Sequence, residues 1–432
     1  MKKMSTVELQ IVERARKLKG EALHNLHHFI DAQFLQESYK KLNKNSAKGI
    51  DGKTWLEYGK EFPERRESLL AEFKSGRYKA PALRRVYIPK DKHSQRPIDI
   101  ATTEDKVLQE SMRRVLEPIY EEDFKPFSYG FRPGRSQHQA IDYMFKQVSF
   151  QKMHYIIDAD IKNYFGSIDH GILREFLDKR VKDGVIRRMI DKWLKAGVME
   201  RGNIRYPEGG SPQGSVISPL LSNIYLHYVL DEWFSEQIQP LLKGQSFIVR
   251  YADDFVLGFT DKSDAERVMA VLSKRFAKYG LTLHPDKTRM IDLNDKRGGK
   301  GRSFDFLGFT HFLSKSQKGS KVLKRKTSSK KLTKAIKNVS DYIKKNRHMN
   351  LNDLIAALNV KLRGHYNYYG VTFNSRSLEN FYRKVRYNLF KWLNRRGGKS
   401  KLNWNSFKVQ VEKRLPLLKP FIRHSYLSLK RT

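Results

Sequence analysis

The spacing of apolar residues changes several times along the 432-residue chain, and each change predicts an element. From residue 5 to about 80 apolar positions recur on one helical face, so amphipathic helices are expected, interrupted by the loop Lys48-Gly49-Ile50-Asp51-Gly52. Between Leu83 and Ile100 the pattern becomes extended. Arg84–Pro89 and Arg96–Ile100 flank the polar turn Lys90–Gln95, which predicts a β-hairpin rich in positive charge. A helix is expected from about Glu104 to Leu116, ended by Pro118. Met153–Ile161 reads as a buried strand carrying Asp158 and Asp160. Helices follow over 170–196 and 216–236, the second after the loop Gly209-Gly210-Ser211-Pro212-Gln213-Gly214. Phe247–Phe259 is two short apolar runs around Asp253-Asp254, the pattern of a hairpin with acids at its turn. A helix over about 262–279 and strands near 281–291 and 304–312 complete an α/β unit.

Residues 313–330 are rich in lysine and serine and read as a basic, flexible connector. Beyond them Leu332, Ala335, Ile336, Val339, Tyr342 and Ile343 keep helical spacing. Leu351, Leu354, Ile355 and Leu358 do so again, as do Leu378, Phe381, Tyr382, Val385, Leu389 and Trp392. Three such helices in a row predict a small bundle, followed by a basic segment. No internal repeat is visible.

Charge narrows the partners. The formal net charge is +39 with a pI of about 10.1, a self-repulsion that a polyanion would relieve. Aromatic residues make up 12% of the chain and lie among the basic ones, so stacking surfaces for bases are available. Nucleic acid is the expected partner and an anionic membrane surface the alternative. No apolar run reaches the length of a membrane-spanning helix, and the first residues lack a signal-type apolar stretch. The absence of cysteine excludes disulfides and thiolate zinc sites, and it fits a cytoplasmic chain, nucleoid-associated or free.

The chemistry is concentrated in carboxylates. Adjacent Asp253 and Asp254 would repel one another and suffer desolvation unless a cation sits against them. Two Mg²⁺ ions answer this and suit nucleotidyl transfer, one for the attacking 3′-oxygen and one for the leaving pyrophosphate. An ordinary acidic turn is the bland alternative. A third carboxylate is needed, and Asp158 and Asp160 share one strand face, so periodicity does not choose between them.

Several motifs together decide the matter: Asp160-Ile161-Lys162-Asn163-Tyr164-Phe165, Tyr251-Ala252-Asp253-Asp254, Tyr129–Ser136, Ser211-Pro212-Gln213-Gly214 with Ser218–Asn223, Leu283–Thr288, Phe306–Phe309 and Leu362–Tyr369. In order and spacing the chain, over about 45–400, resembles group II intron-type reverse transcriptases, the maturase family of bacterial retroelements. The loop Gly49–Gly52 resembles that family's most N-terminal block. The resemblance implies an α+β right-hand polymerase fold with a helical thumb. It divides the chain into an N-terminal extension (1–80), fingers (81–155), palm (156–312), a basic linker (313–330), a maturase-type thumb (331–398) and a basic segment (399–432) that is at most a vestigial DNA-binding region.

The same resemblance assigns roles. Asp160, Asp253 and Asp254 would be the catalytic acids and the ligands of two Mg²⁺ ions. Asp160 is preferred because an aromatic, Phe165, stands five residues on, where it would lie under the incoming sugar and reject a 2′-hydroxyl; the same count from Asp158 reaches Asn163. Lys90 and Arg96 would grip the triphosphate, and Gln213 would contact the nucleotide. Gly214 would let the backbone approach the nascent pair. Lys287 would act as general acid toward pyrophosphate, or is simply a solvated lysine. Leu307 and Gly308 would form the primer grip, and Arg132, Arg135 and Arg363 would track nucleic acid. Tyr366, Tyr368 and Tyr369 would stack on bases or build the bundle core, with core preferred.

The implied activity is RNA-directed DNA synthesis from dNTPs on an RNA template, with intron RNA the implied template and DNA the primer or target. The lack of cysteine pairs and the end at Thr432 point to a form without the endonuclease of many relatives. Two other readings stand beside it. One is a free-standing enzyme of the same chemistry in phage defence or DNA repair. The other is a non-catalytic RNA-binding splicing factor, which the full set of acids disfavours. Ser218-Pro219 disfavours the diversity-generating branch, and the long N-terminal extension and thumb disfavour compact retron-type enzymes.

Overall fold

The computed structural model describes residues 4–89, 94–200, 202–206, 209–294, 302–317, 319–397 and 402–426. Lys90, expected at the fingers turn, lies outside the described residues. In chain order the elements are α1 (Thr6–Lys17), α2 (Ala32–Lys41), α3 (Trp55–Ser75), β1 (Leu83–Pro89), β2 (Gln95–Ile100), α4 (Thr103–Glu121), α5 (Gln137–Phe150), β3 (Tyr155–Ala159), α6 (His170–Asp178) and α7 (Gly184–Leu194). They continue as β4 (Val198–Glu200), β5 (Asn203–Arg205), α8 (Ser218–Leu226), β6 (Ser246–Tyr251), β7 (Asp254–Phe259), α9 (Lys262–Lys278), β8 (Arg289–Asp292), β9 (Ser303–Phe306), β10 (Phe309–Lys315), β11 (Lys321–Thr327), α10 (Ser329–Lys345), α11 (Leu351–Tyr369), α12 (Ser375–Leu393) and α13 (Trp404–Phe407). The chain divides into two compact units, 1–140 with 157–290, and 141–156 with 291–432. No helix among the described residues is long and apolar enough to cross a membrane.

The first unit is organised around α4, which is buried along most of its length. It runs past Leu116 to Glu121, so Pro118 lies within the helix rather than ending it. An internal proline costs about 3 kcal/mol. Here Val115, Leu116, Ile119 and Tyr120 are all fully buried, at about 1.5–3 kcal/mol each, so packing wins. Arg114 ties α1 and α2 to this helix. Its guanidinium donates to Glu8 at 2.7 Å, Glu37 at 2.9 Å and Ser38 at 3.1 Å, and lies 3.9 Å from the Phe34 ring centre.

Two four-stranded sheets complete this unit's scaffold, ordered β2-β1-β4-β5 and β6-β7-β3-β8. The expected fingers hairpin is present, with β1 and β2 antiparallel from Arg84 opposite Ile100 to Pro89 opposite Gln95. The single helix expected over 170–196 is two, because Asp183 caps a new start by accepting the Val185 and Ile186 N–H groups at 2.9 and 3.1 Å. The helix expected over 216–236 begins as α8 and widens into π-helical turns over His227–Asp231 and Trp233–Ile238.

In the second unit β9, β10 and β11 form an antiparallel sheet in the order β11-β10-β9. The connector expected over 313–330 is therefore corrected: most of it is the end of β10 and the whole of β11. Leu323, Arg325 and Thr327 are buried and alternate with more exposed residues, the period of two of a half-buried strand. Arginine in the inward series hid the pattern. The Arg325 guanidinium lies 5.3 Å from the Phe145 ring and 4.6 Å from the Tyr426 ring, and burial pushes its pKa down to about 10. Helices α10, α11 and α12 form the expected bundle, with Ile343, Leu354, Leu358, Leu362, Tyr366, Phe381, Val385 and Leu389 in its core. Phe407, Val411 and Leu417 complete that core, so part of the basic C-terminal segment is structural.

Candidate active site

Strands β6 and β7 carry the two adjacent acids. Tyr251 pairs with Asp254, leaving Ala252 and Asp253 as a two-residue turn. Such a tight turn needs positive φ at its first position, and Ala252 supplies it at φ 58° at a cost of about 1–2 kcal/mol. Asp253 is half-buried and Asp254 exposed, while the strands behind them are packed solid.

What offsets the strain lies beneath the turn. Arg250 and Asp231 are both fully buried and face each other at 2.8 Å (Nε to Oδ1) and 2.5 Å (Nη2 to Oδ2). The remaining Arg250 nitrogen, Nη1, donates to Asn223 Oδ1 at 2.9 Å and to the Ala252 carbonyl at 3.1 Å. From the other side Tyr129 N–H donates to the Arg250 carbonyl at 2.9 Å, and Asn223 Nδ2 donates to the Gly130 carbonyl at 2.8 Å. A Cβ on Gly130 would stand 2.2 Å from the Ala252 nitrogen, so only glycine permits this approach. Arg250, Asp231 and Asn223 thus position the acidic turn; sequence reasoning gave Arg250 and Asp231 no role and quoted Asn223 only within a motif. The available signal was an arginine inside an apolar strand, where a charge must find a partner.

Asp160 follows the end of β3. Its carbonyl accepts His284 N–H at 2.7 Å, and Lys162 N–H donates to the Thr282 carbonyl at 2.8 Å. This pairing brings Lys287 to Asp160, with Nζ 2.6 Å from Oδ2. Asp158 instead lies 3.9 Å from Arg289 Nε. Asn163, at φ 48°, turns the chain into the tight turn Tyr164–Ser167. The Tyr164 hydroxyl donates to the Ser222 carbonyl at 2.6 Å. Burial pushes the Tyr164 phenol well up, with Ser222 and Arg250 opposing and the Asp253 charge adding to the rise. Ser222 and its neighbour Asn223, which accepts from Arg250, thus join the turn after Asp160 to the Asp253 hairpin.

Among the described residues no three His, Asp or Glu side chains are drawn close enough together to hold a metal ion. The donor chemistry nonetheless suits Mg²⁺: Asp160, Asp253 and Asp254 offer only hard carboxylate oxygens. Asp160 already holds a cation, the Lys287 ammonium.

The loop 209–217 is laced to this centre. Ser211 N–H donates to the Phe165 carbonyl at 2.7 Å, and Gly210 N–H to that of Ile168 at 2.9 Å. Asp99 N–H on β2 donates to the Gln213 carbonyl at 2.7 Å. Gly214, at φ 113°, presses on β2, where a Cβ would meet the Ile98 side chain at 2.8 Å. Its freedom thus lets the loop pack against β2. Arg96 is exposed on the same strand face as Ile98, roughly 7 Å along the strand. Phe165 and Gln213 are half-buried at the edge of this cluster.

The remaining expected residues are dispersed. Arg132 corrects its expectation: it is buried, bidentate to Glu121 at 2.9 and 2.9 Å, and donates to the Lys125 and Ser128 carbonyls at 2.7 and 2.8 Å. It braces a turn and has no face for nucleic acid. Arg135 and Arg363 are exposed. In the second unit Leu307 (φ 49°) and Gly308 (φ 80°) form the two-residue turn between β9 and β10. Tyr368 donates to the Leu307 carbonyl at 3.1 Å, and a Cβ on Gly308 would stand 3.1 Å from the Tyr369 hydroxyl. Tyr366 is core. Tyr369 packs against that core as well as standing at Gly308, so the preferred core reading holds for two of the three tyrosines, and Tyr368 holds the turn.

Residues 88–311 match the family model described as reverse transcriptase (RNA-dependent DNA polymerase), and residues 329–409 match the group II intron, maturase-specific domain. The chain is 34% identical over 311 residues to Protein YkfC of Escherichia coli (strain K12), covering 63% of this chain and 77% of that protein. It is 27% identical over 278 residues to the uncharacterized 91 kDa protein in cob intron of Schizosaccharomyces pombe, covering 52% of this chain and 34% of that one. It is 35% identical over 165 residues to the group II intron-encoded protein LtrA of Lactococcus lactis subsp. cremoris, covering 38% of this chain and 27% of that one.

Proposed function

The chain belongs to the reverse transcriptase (RNA-dependent DNA polymerase) family and carries a group II intron maturase-specific domain, and from that premise we propose that it copies a structured, intron-type RNA into DNA while binding that RNA to assist its splicing and mobility. The observation that carries this reading is the braced Ala252-Asp253 turn before β7, linked through Asn223 and Ser222 to the turn that follows Asp160 at the end of the neighbouring strand β3. Two Mg²⁺ ions on Asp160, Asp253 and Asp254 would supply charge neutralisation at the attacking and leaving oxygens.

The protein's own groups do the rest. Arg96 meets the triphosphate with a fixed positive charge. Gln213 orients the nucleotide, and Phe165 excludes a 2′-hydroxyl. Lys287, held at Asp160, keeps a proton within reach of the departing pyrophosphate. Leu307 and Gly308 hold the primer end, and Arg135 and Arg363 bind nucleic-acid backbone.

Primer extension on a generic RNA template, first with dNTPs and then with rNTPs, tests the proposal. DNA synthesis requiring Mg²⁺ is expected. Asp253→Asn should abolish it while leaving RNA affinity intact; equal loss of both would make the acid a structural residue and overturn the reading.

A further inference from the structure

Behind the nucleotide loop runs a chain of buried polar groups that none of these roles uses. Asp105, near the start of α4, is fully buried. One of its oxygens accepts the Trp193 indole N–H at 2.6 Å and the Tyr78 hydroxyl at 3.3 Å; the other accepts the Gln109 amide N–H at 3.1 Å. Gln109, one turn along the helix, is buried too. Its carbonyl oxygen accepts the Ser215 hydroxyl at 2.6 Å and the Val216 backbone N–H at 2.9 Å.

The polarity of this chain has one direction. Val216 N–H can only donate, so the atom facing it must be the Gln109 oxygen, and the amide nitrogen must face Asp105. Residues 215 and 216 directly follow Gln213 and Gly214. The loop is also held at Phe165 through Ser211 and at Asp99 through Gln213, and Gln109 adds a fastening at the residues that follow Gly214. We propose that Gln109, oriented by Asp105, is a positioning residue that sets where Gln213 and Gly214 stand against the incoming deoxynucleotide. The proposal rests on reading that loop as the nucleotide-contacting element. Burial pushes the Asp105 carboxyl up to about 7, with Trp193, Tyr78 and Gln109 opposing the rise.

The chain can be broken and rebuilt. In Asp105→Asn the new amide nitrogen faces the Gln109 nitrogen, and Gln109 can satisfy one neighbour only by failing the other. Steady-state extension on an RNA template should then show KM for dNTP raised about tenfold or more, with a smaller change in kcat and weaker rejection of rNTPs. Ser215→Ala, which removes one bond and little volume, should move the same quantities in the same direction. The swap D105N/Q109E restores a donor-to-acceptor order and the charge, and should bring KM back to within about threefold of the wild type. Gln213→Ala is measured alongside to test the loop itself.

If Gln213→Ala raises KM while Asp105→Asn and Ser215→Ala do not, in folded protein, the positioning assignment fails and the loop reading stands. If Gln213→Ala changes nothing, the loop reading fails and takes the pair with it. A swap no better than Asp105→Asn also overturns the proposal, since packing rather than polarity would then be responsible. Should Asp105→Asn not fold, Ser215→Ala and the swap still decide.

Discussion

Substituting Asp231 by alanine should loosen the acidic hairpin far from any solvent-facing change. The guanidinium of Arg250 would keep only two neutral acceptors, Asn223 Oδ1 and the Ala252 carbonyl, inside a fully buried setting. At about 2.8 Å and an effective dielectric of about 20 the lost attraction is roughly 6 kcal/mol, reduced by relaxation and entering water. Stranding one partner of a buried pair typically costs about 3–5 kcal/mol. Local opening of β6 and β7 should therefore become roughly 10²- to 10⁴-fold more frequent. Native-state hydrogen exchange on the peptide 247–259 is the suitable assay, because a chain of two compact units need not unfold in a single step. The paired substitution D231L/R250M removes both charges and should restore part of the protection, held short by Asn223 Oδ1 and the Ala252 carbonyl, each left without its donor at about 1–3 kcal/mol. Extension activity should stay at least tenfold down, because the Ala252 carbonyl has lost its donor. An exchange change below about fivefold in Asp231→Ala would refute the anchoring argument. Full activity in the paired variant would reduce Arg250 to a stabilising residue.

Other outcomes follow from the same geometry. Phe165→Val should admit rNTPs in primer extension, and unchanged discrimination would remove Phe165 from its role at the sugar. RNA binding should weaken by orders of magnitude between about 50 and 200 mM salt, as counterion release requires for a chain of net charge +39; a flat titration would contradict the electrostatic reading. Asp105 keeps its proton in the folded state up to about pH 7, above its ordinary 3.8, so its contribution is greatest below about pH 4 and is lost as pH rises towards 7. Trp193, Tyr78 and Gln109 hold that shift back and Glu104 adds to it. The slope of thermal stability over that window should flatten in Asp105→Asn, and an unchanged slope would mean that Asp105 ionises freely.

What could be read from sequence depended on whether a residue's neighbours lie along the chain or across it. The Asp253 hairpin was legible because its apolar runs are short and bounded by acids, and the bundle because Leu354, Leu358 and Leu362 repeat at helical intervals. β11 was hidden because its inward positions include Arg325, whose burial depends on aromatic rings at 145 and 426. Arg132 was misread for the same reason: a motif arginine suggests phosphate, whereas Glu121 and two carbonyls take four of its five N–H donors. Asp231 and Gln109 carried no local signal at all. Their partners stand 19 and 106 residues away, and only the fold makes them neighbours.

The close fit of Gly130 against the Ala252 nitrogen carries a mechanical consequence. A turn wedged by backbone on one flank and bolted by a guanidinium on the other is a fixed anvil. If Asp253 serves as proposed, any shift of register between nucleotides falls to the duplex rather than to this turn.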